Sequence, residues 1–353
     1  MRVEVDANLI AYNLKNVAYI VSEFKGDSVL GRMLIKALND KITFSLVGIC
    51  DRAIIDIPCK VLEAGELCID ANKFIGIIQS FDGNVTIHST VSKVFIQQNS
   101  VKVSLQLFEC KEFDGLTINS TFEECGNLPS NLLERCINIV SPWIETKDKG
   151  VLGGLHLKLK DKILTTYGCN QAAAGITNNI INNKATFAFT VKTQALHAAS
   201  RLFKDEDIKL SLSSSSVCFE GEYCKLYTHL MQGQYPPIEK ILQIESQKTS
   251  TLSIDRSALE KCLKRLFVLK TLDKRFTMSI ENNNMTVTYD NVLQENIDIE
   301  CEVENIKIAV NYEYLSNILK ICNNKQIDMK ISTNNNIIYN GEDFVIMIAR
   351  IGK

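Results

Sequence analysis

The sequence lacks the features of a secreted or membrane-bound chain. It does not open with a charged stretch followed by a short apolar one, and no apolar run reaches the length of a membrane-spanning helix. We therefore expect a cytosolic protein. Its 12 cysteines include no pair with Cys-x-x-Cys spacing, so we expect them to stay reduced and to pack as small apolar residues.

A strong excess of one charge is also absent. The 39 lysines and arginines nearly balance the 41 aspartates and glutamates, which leaves a formal net charge of −2. Bulk positive charge of the kind that attracts nucleic acid to a whole protein is therefore excluded. Any contact with DNA has to come from a local cluster of basic side chains.

The signatures of common active sites are missing as well. Residues 26–32 (GDSVLGR) have the glycine spacing of a phosphate-binding loop, but Arg32 replaces the required lysine and Met33 follows where serine or threonine belongs. No strand pattern precedes this stretch, and the sequence contains no Gly-x-Ser-x-Gly or Gly-x-Gly-x-x-Gly motif.

Isolated polar residues do not indicate a site either. The four histidines are scattered, with no His-Glu-x-x-His motif and no metal-ligand spacing: His88, His156, His197 and His229. We interpret each as a packed or surface residue, because one histidine without a partner is no site. The acidic residues 205–207 are predicted to form a solvated turn. An enzyme with a site at this turn or near His156 is one alternative.

The chain does contain a threefold repeat. Apolar residues at helical spacing, followed each time by three short alternating runs typical of strands, recur at intervals of about 120 residues. A second set of helical patterns lies ahead of these at a similar interval. The predicted helices cover residues 70–81, 190–203 and 309–322, and, ahead of each, residues 6–21, 130–143 and 255–269.

This repeat predicts an α+β protein of three tandem domains with antiparallel sheets. A chain of 353 residues with 46% apolar residues is long enough for such cores. Each domain should hold two amphipathic helices and roughly eight strands. Polar stretches near residues 120 and 247 predict the boundaries, so the domains are residues 1–120, 121–247 and 248–353.

Two apolar stretches far apart in sequence are predicted to meet. Residues 234–242 (QYPPIEKIL) contain Pro236 and Pro237, which we expect to exclude a helix and to hold the segment extended on a surface. The last ten residues (FVIMIARIGK) are apolar for a chain end and predict a strand that pairs or fills a groove.

Several predicted helices carry lysines and arginines opposite their apolar side. On the helix that begins at Asp255, the apolar side carries Leu259, Cys262, Leu263, Leu266 and Phe267, and the other side carries Lys261, Lys264 and Arg265. A solvated helix face is the simpler interpretation for any one helix. Because the pattern recurs in all three repeats, helices that face inward would give a concave surface with a positive lining.

These features together resemble the bacterial-type DNA polymerase III beta subunit, the beta sliding clamp, over the whole chain. In that family the second domain ends in an aromatic residue, a proline and a basic-apolar pair, which Tyr235, Pro236, Lys240 and Ile241 reproduce. The family's terminal apolar strand with a penultimate arginine corresponds to FVIMIARI. Further similarities are ANKF at residues 71–74, SVLGRML at 28–34 and VLGGLHL at 151–157.

The resemblance implies a non-catalytic ring. A head-to-tail homodimer would encircle duplex DNA without reading its sequence and would tether the replicative polymerase, with a clamp loader and other clients as further partners and with no cofactor or metal. We expect a bacterial or a phage- or plasmid-encoded protein of the cytoplasm, associated with the nucleoid. A scaffold of the same three domains that does not close into a ring is the second alternative.

The resemblance also implies three sets of site residues. A groove for a partner peptide rich in Gln, Leu and Phe would be formed by Leu152, Cys169, Gln171, Ala174, Pro236, Lys240, Ile241, Val345, Ile346, Met347, Arg350 and Ile351. DNA would face Lys25, Lys73, Lys147, Lys149 and Lys192. The dimer interface would join Val103 and Leu105 to Val268 and Leu269.

The sequence departs from the family's pattern with Ile348 and Gly31 where proline is usual, but one further departure matters more. Where the family has a turn of the Asp-Gly-His-Arg-Leu-Ala type, residues 170–175 read NQAAAG, with Ala172 and Ala173 in place of the histidine and arginine. The positive charge and the ring are lost. We therefore expect an altered peptide groove and a divergent member of the family, with the fold unaffected.

Overall fold

The computed structural model describes residues 1–22, 24, 28–113, 121–145, 147, 150–269, 274–302 and 305–351. Within these residues one order of elements occurs three times: an opening strand, a helix, further strands, a second helix and three strands. The threefold repeat predicted from the helical spacing is present.

The first occurrence has two helices and nine strands among the described residues: β1 (Arg2–Asp6), α1 (Ala7–Val17), β2 (Arg32–Leu38), β3 (Lys41–Val47), β4 (Asp51–Pro58), β5 (Lys60–Glu63), β6 (Gly65–Asp70), α2 (Ala71–Ile78), β7 (Asn84–Ser89), β8 (Lys93–Gln98) and β9 (Val101–Gln106).

The second occurrence ends in an additional helix: β10 (Glu123–Pro129), α3 (Ser130–Val140), β11 (Gly154–Lys160), β12 (Ile163–Cys169), β13 (Ala173–Ile180), β14 (Phe187–Lys192), α4 (Thr193–Leu202), β15 (Asp207–Leu212), β16 (Ser216–Glu220), β17 (Cys224–His229) and α5 (Ile238–Glu245). The third runs to the end of the described chain: β18 (Thr249–Asp255), α6 (Arg256–Val268), β19 (Arg275–Glu281), β20 (Asn284–Tyr289), β21 (Leu293–Cys301), β22 (Ile306–Asn311), α7 (Tyr312–Ile321), β23 (Gln326–Ser332), β24 (Ile337–Asn340) and β25 (Phe344–Ile348).

Polar caps fix the start of several helices directly after a strand. The carboxylates of Asp6, Asp70 and Asp255 each accept a hydrogen bond from a backbone N–H in the first turn of the helix that follows, and the amide oxygen of Asn311 does the same. These bonds satisfy N–H groups that the helix itself leaves without partners. The cap predicted at Asp70 is confirmed.

Two predicted elements differ from the structure. The helix expected from Thr190 begins at Thr193, because residues 187–192 pair with β11 and the β-branched Thr190 and Val191 are buried in that strand. The segment expected to stay extended after Pro236 and Pro237 becomes helix α5 at Ile238. Both prolines precede the helix, where a missing N–H costs nothing, so they define its start and do not exclude it.

The chain packs as two compact units, one of residues Met1–Glu134 with Gln194–Leu230 and the other of Arg135–Thr193 with Met231–Lys353. The first contains a five-stranded sheet of order β5-β1-β7-β8-β9 and an eight-stranded sheet of order β10-β15-β16-β17-β4-β3-β2-β6. The second contains a twelve-stranded sheet of order β14-β11-β12-β13-β25-β24-β23-β18-β21-β20-β19-β22. The predicted division into domains at residues 120 and 247 stays a prediction.

The strands pair antiparallel throughout the described residues, which confirms the α+β class with antiparallel sheets.

Seven of the cysteines are buried, as expected for small apolar side chains: Cys68, Cys136, Cys169, Cys218, Cys224, Cys262 and Cys322. No helix in the described part of the chain is both long and apolar enough to cross a membrane.

Candidate functional site

An apolar cluster in the second unit joins helix α5 to strand β25. Its buried members are Tyr167, Cys169, Ala174, Ile176, Ile238, Leu242, Ile338 and Met347. Leu152, Tyr235 and Val345 are only partly buried and pack against it. The segment around Tyr235 and the terminal strand therefore meet, as the sequence predicted.

The cluster unites five of the residues predicted for the peptide groove. Cys169 and Ala174 are cross-strand partners on β12 and β13, and Met347 pairs with Ala174 on β25. Leu152 lies in a single helical turn ahead of β11, and Val345 shares a face of β25 with Met347. With Ile338 on β24, four neighbouring strands form the floor, and Leu152, Tyr235 and Val345 form an accessible apolar rim.

Ile346 lies on the other side of the same strand. Side chains alternate along β25, so Ile346 is fully buried opposite the cluster. Its Cδ1 methyl group and the indole of Trp143 both lie next to Gly175, where an added Cβ would collide with the indole. Ile346, predicted to line the groove, therefore does not lie in the cluster with Met347.

Helix α5 brings a polar edge to the cluster. Its first turn is anchored by the carbonyl of Pro237, which accepts hydrogen bonds from the N–H groups of Lys240 (3.1 Å) and Ile241 (3.3 Å). Pro236 is half-buried, Ile241 is 38% exposed and Lys240 is exposed. These three predicted groove residues therefore lie beside the cluster on the segment that carries Ile238 and Leu242.

An aromatic stack that the sequence did not indicate supports Tyr235. The His156 ring lies flat on the Tyr235 ring, with centroids 4.8 Å apart and an interplanar angle of 13°, and Tyr167 packs against both rings at a tilt. His156 Nδ1 lies 2.9 Å from the Thr190 hydroxyl oxygen. Burial, and then the positive charge of Lys158, lower the pKa of His156 to about 4, so the ring is neutral at physiological pH.

The carboxylate of Glu239 contacts the edge of this aromatic stack. The Tyr167 hydroxyl donates a hydrogen bond of 2.6 Å to Glu239 Oε1, and Lys158 Nζ lies 3.2 Å from the same oxygen. The hydrogen bond from Tyr167, followed by those from Lys158, holds the pKa of Glu239 below its ordinary value despite partial burial. Burial, with Glu239 second, raises the pKa of Tyr167. Glu239 thereby ties the first turn of α5 to β11 and β12.

The altered turn at residues 170–172 borders a small polar cavity. The side-chain oxygen of Asn170 accepts hydrogen bonds of 2.8 Å from the N–H groups of Ala172 and Ala173, which fixes the turn. The cavity, of about 470 Å³, is lined by Glu145, Lys147, Asn170, Gln171, Ala172 and Tyr314. It brings together Gln171, predicted for the groove, and Lys147, predicted to face DNA. Tyr314 was not predicted, because its nearness to the turn depends on the fold.

The last described residues leave the apolar cluster. The Ala349 N–H donates to the Ala172 carbonyl at 2.7 Å, and the Ile351 N–H donates to the Ala309 carbonyl at 2.8 Å. Arg350 and Ile351 line a separate cavity of about 660 Å³ beside β19, β20 and β22. The structure therefore does not bring these two predicted groove residues into the cluster with Met347.

The basic residues predicted to face DNA are exposed where the structure describes them. Lys73 lies in the first turn of α2, 3.7 Å from Asp70, and Lys192 is the last residue of β14. Lys192 was expected on a helix and instead ends a strand. Lys25 and Lys149 lie outside the described residues.

The residues predicted for a dimer interface lie at sheet and helix ends. Val103 and Leu105 are half-buried on β9, which forms the edge of the five-stranded sheet. Val268 is 79% exposed at the end of α6, and Leu269 is 38% exposed directly after it. Phe267, expected on the buried side of α6, is 40% exposed and stacks edge-on against Tyr312. The three consecutive apolar residues therefore form one exposed patch.

Comparisons with known proteins agree with one another. No protein-family model matches the chain. It is 24% identical over 291 residues to the beta sliding clamp of Synechococcus elongatus, a match that covers 78% of this chain and 77% of the relative. It is 19% identical over 347 residues to the beta sliding clamp of Streptococcus pneumoniae, covering 92% and 90%.

Solved structures share the whole fold. The beta subunit of the Streptococcus pyogenes DNA polymerase superposes with a TM-score of 0.88 at 18% identity, covering 100% of both chains. The DNA polymerase III beta subunit of Thermotoga maritima gives a TM-score of 0.89 at 13% identity, covering 100% of this chain and 99% of the other.

Proposed function

We propose that this chain, a divergent relative of the beta sliding clamps, is itself a DNA sliding clamp: a non-catalytic ring that encircles duplex DNA and tethers a replicative polymerase to it. The relatives named beta sliding clamp cover most of the chain, and the solved beta subunits cover all of it. The observation that carries the ring is the way in which successive repeats join through their strands.

Two junctions of one kind occur within the chain. In the first unit, β17 pairs with β4, from Thr228 opposite Asp51 to Cys224 opposite Ile55. In the second unit, β25 pairs with β13, from Ile348 opposite Ala173 to Phe344 opposite Thr177. Each time, the last strand of one repeat pairs with the corresponding middle strand of the repeat before it.

The strands that would form a third such junction both have an open side. By position in the repeat they are β9, the last strand of the first repeat, and β21, the middle strand of the third. β9 is an edge strand of its sheet. β21 pairs with β20 along Leu293–Asp298, but with β18 only at residues 299–301. Residues 293–298 therefore have one side without a strand partner among the described residues.

We infer that β9 of one copy pairs with residues 293–298 of a second copy. An exposed edge invites pairing with another chain, and a head-to-tail contact repeated twice closes a two-chain ring. Apolar surface supports the same contact: Val101 is 52% exposed, and Val103 and Leu105 are half-buried on β9. On the side of the second copy, Arg265 of α6 binds Glu295 of β21 at 2.6 Å. The end of α6 that carries Val268 and Leu269 would therefore lie near the open edge.

Function would follow from topology. A polymerase bound to a closed ring stays near the template because the effective local concentration is high, with no bond made or broken in the clamp. Lys73, Lys147 and Lys192, with Lys25 and Lys149, would contact phosphates weakly and without reading bases, which permits sliding.

We assign the protein to the bacterial cytoplasm, encoded either by the bacterium or by a phage or plasmid that replicates there.

The apolar cluster at α5 and β25 would receive a linear peptide of the polymerase, the loader and other clients. Its accessible rim of Leu152, Tyr235 and Val345, with Ile241, Pro236 and Lys240 beside it, offers apolar surface on rigid elements. A preformed site of this kind binds with little reorganisation. The cavity at Gln171 and Tyr314 would receive a further side chain.

The ring is tested by mass and activity together. Sedimentation at micromolar concentration should give twice the chain mass of 39.6 kDa, and the protein loaded on primed DNA should lengthen the products of its polymerase. A monomer that still binds the polymerase would support the scaffold alternative and would contradict the ring.

A further inference from the structure

The cavity at the end of the chain has a surplus of positive charge in its lining. It is lined by Arg275, Lys307 and Arg350, with Tyr289, Thr277 and a single carboxylate, Asp290. The whole chain has a net charge of −2, so this local surplus of cations is not a property of the average surface. An anionic ligand is the natural complement.

Two of the cations are available to a ligand. Lys307 and Arg350 are exposed, and neither forms an ion pair with a carboxylate of the described residues. Lys307 lies on β22 on the face away from the buried Ile308 and Val310. The backbone N–H of Arg350 is held by Asn336 at 3.1 Å and that of Ile351 by Ala309, which fixes the chain beside the cavity.

The cavity lies close to the apolar cluster along the chain. Met347 belongs to the cluster and Arg350 lines the cavity. Three residues separate them, which is at most about 11 Å of extended chain. A peptide seated on the cluster therefore needs only about three or four more residues to reach Lys307 and Arg350.

We propose that this cavity binds acidic residues that flank the apolar motif of a client peptide. The proposal rests on the function proposed above, because it takes the cluster to be the peptide site. Aspartate or glutamate three to five positions from the apolar anchor would pair with Lys307 and Arg350. Exposed charge pairs of this type add selectivity and a faster association more than tight binding.

The test uses the full-length protein and three synthetic peptides with the core Gln-Leu-Ser-Leu-Phe. One has neutral serine flanks, one has three aspartates before the core and one has three aspartates after it. Affinities are measured at low and high salt with wild type, with Lys307→Glu and with Lys320→Glu. Lys320 is exposed on α7 and does not line the cavity, so this variant carries the same change of net charge.

One of the two acidic peptides should bind wild type about two- to fivefold more tightly than the neutral one at low salt, the range expected for exposed ion pairs. Lys307→Glu should remove this advantage, and Lys320→Glu should retain it. A peptide with lysines in the same flank should bind Lys307→Glu more tightly than wild type.

The outcomes separate the two proposals. Suppose that the neutral peptide binds but acidic flanks give no gain in affinity, or that Lys307→Glu and Lys320→Glu reduce this gain equally. The cavity is then not a site for acidic flanks, while the groove is still supported. If no peptide binds, the groove itself is overturned, and this inference with it.

Discussion

The Tyr167 hydroxyl donates a 2.6 Å hydrogen bond to Glu239, and this bond connects strand β12 to the first turn of helix α5. The two residues are 72 positions apart in sequence. Helix α5 carries Ile238 and Leu242 into the apolar cluster. The hydrogen bond at the start of the helix therefore helps to hold these two side chains in place.

Replacing Tyr167 by phenylalanine should destabilise the second unit by about 1 kcal/mol, the typical net value for one hydrogen bond, because the Glu239 carboxylate is largely exposed. The pKa of Glu239 should rise towards its ordinary value, because that bond is the main cause of its depression. Chemical unfolding and carboxyl NMR titration measure the two effects. Tyr289→Phe, which removes a hydroxyl elsewhere in the unit, should change neither; an unchanged Glu239 titration in Tyr167→Phe would contradict the assigned bond.

Acid should weaken the stack of His156 on Tyr235. The folded pKa of His156 is lowered from 6.5 to about 4, so the unfolded chain takes up a proton first as the pH falls. The contribution of His156 to the free energy of unfolding should therefore decrease from about pH 6.5 to about pH 4 and stay constant at lower pH. His88 and His197 are shifted in the same direction, so the informative quantity is the difference between wild type and His156→Phe. The melting temperature of wild type should approach that of His156→Phe as the pH falls through this range. A constant difference between the two melting temperatures would contradict the predicted effect of His156 protonation. His229→Gln serves as the control for loss of a histidine.

Charge placed on the exposed end of α6 should prevent dimer formation. The double variant Val268→Asp with Leu269→Asp should sediment as a monomer at micromolar concentration, because two buried carboxylates at an apolar interface are strongly unfavourable. Ile180→Asp, at an 85% exposed position on β13, is the matched control and should remain dimeric. A double variant that stays dimeric would show that this patch is not the interface.

Neighbouring residues on opposite faces of β25 distinguish the groove from the core. Met347→Ala should weaken binding of a client peptide several-fold, since it removes apolar surface from the cluster. Ile346→Val should cost about 1 kcal/mol of stability and leave peptide affinity unchanged, because Ile346 faces Trp143. Truncation from Met347 is a poorer test, since it also removes the fully buried Ile348 from the sheet. Equal loss of affinity in both variants would contradict the assignment of faces.

Much of the fold could be predicted because its signals are local. Asp6, Asp70 and Asp255 each follow a strand and start a helix at the capping positions, and alternation along the chain identified the strands. The meeting of the Tyr235 segment with Met347 followed from two apolar stretches that each needed a partner. The nearly constant interval between helices gave the repeat.

The errors arose where a side chain's role depends on register or position within an element. Ile346 and Met347 are equally apolar, and only pairing with β13 and β24 decides which of them faces the groove. Pro237 was taken to exclude a helix, although the residue immediately after it begins one. The contacts of His156 with Tyr235 and of Tyr167 with Glu239 join distant residues of ordinary type, so no local pattern indicates them.

Retention on circular DNA tests the ring most directly. Protein loaded on a nicked circular duplex should remain bound in high salt, because screening weakens phosphate contacts but does not open a threaded ring. Cutting the circle once should release it over the free ends, whereas blocking both ends with a bulky protein should restore retention. Equal salt resistance on circular and on open linear DNA, or loss from the circle in high salt, would contradict encirclement.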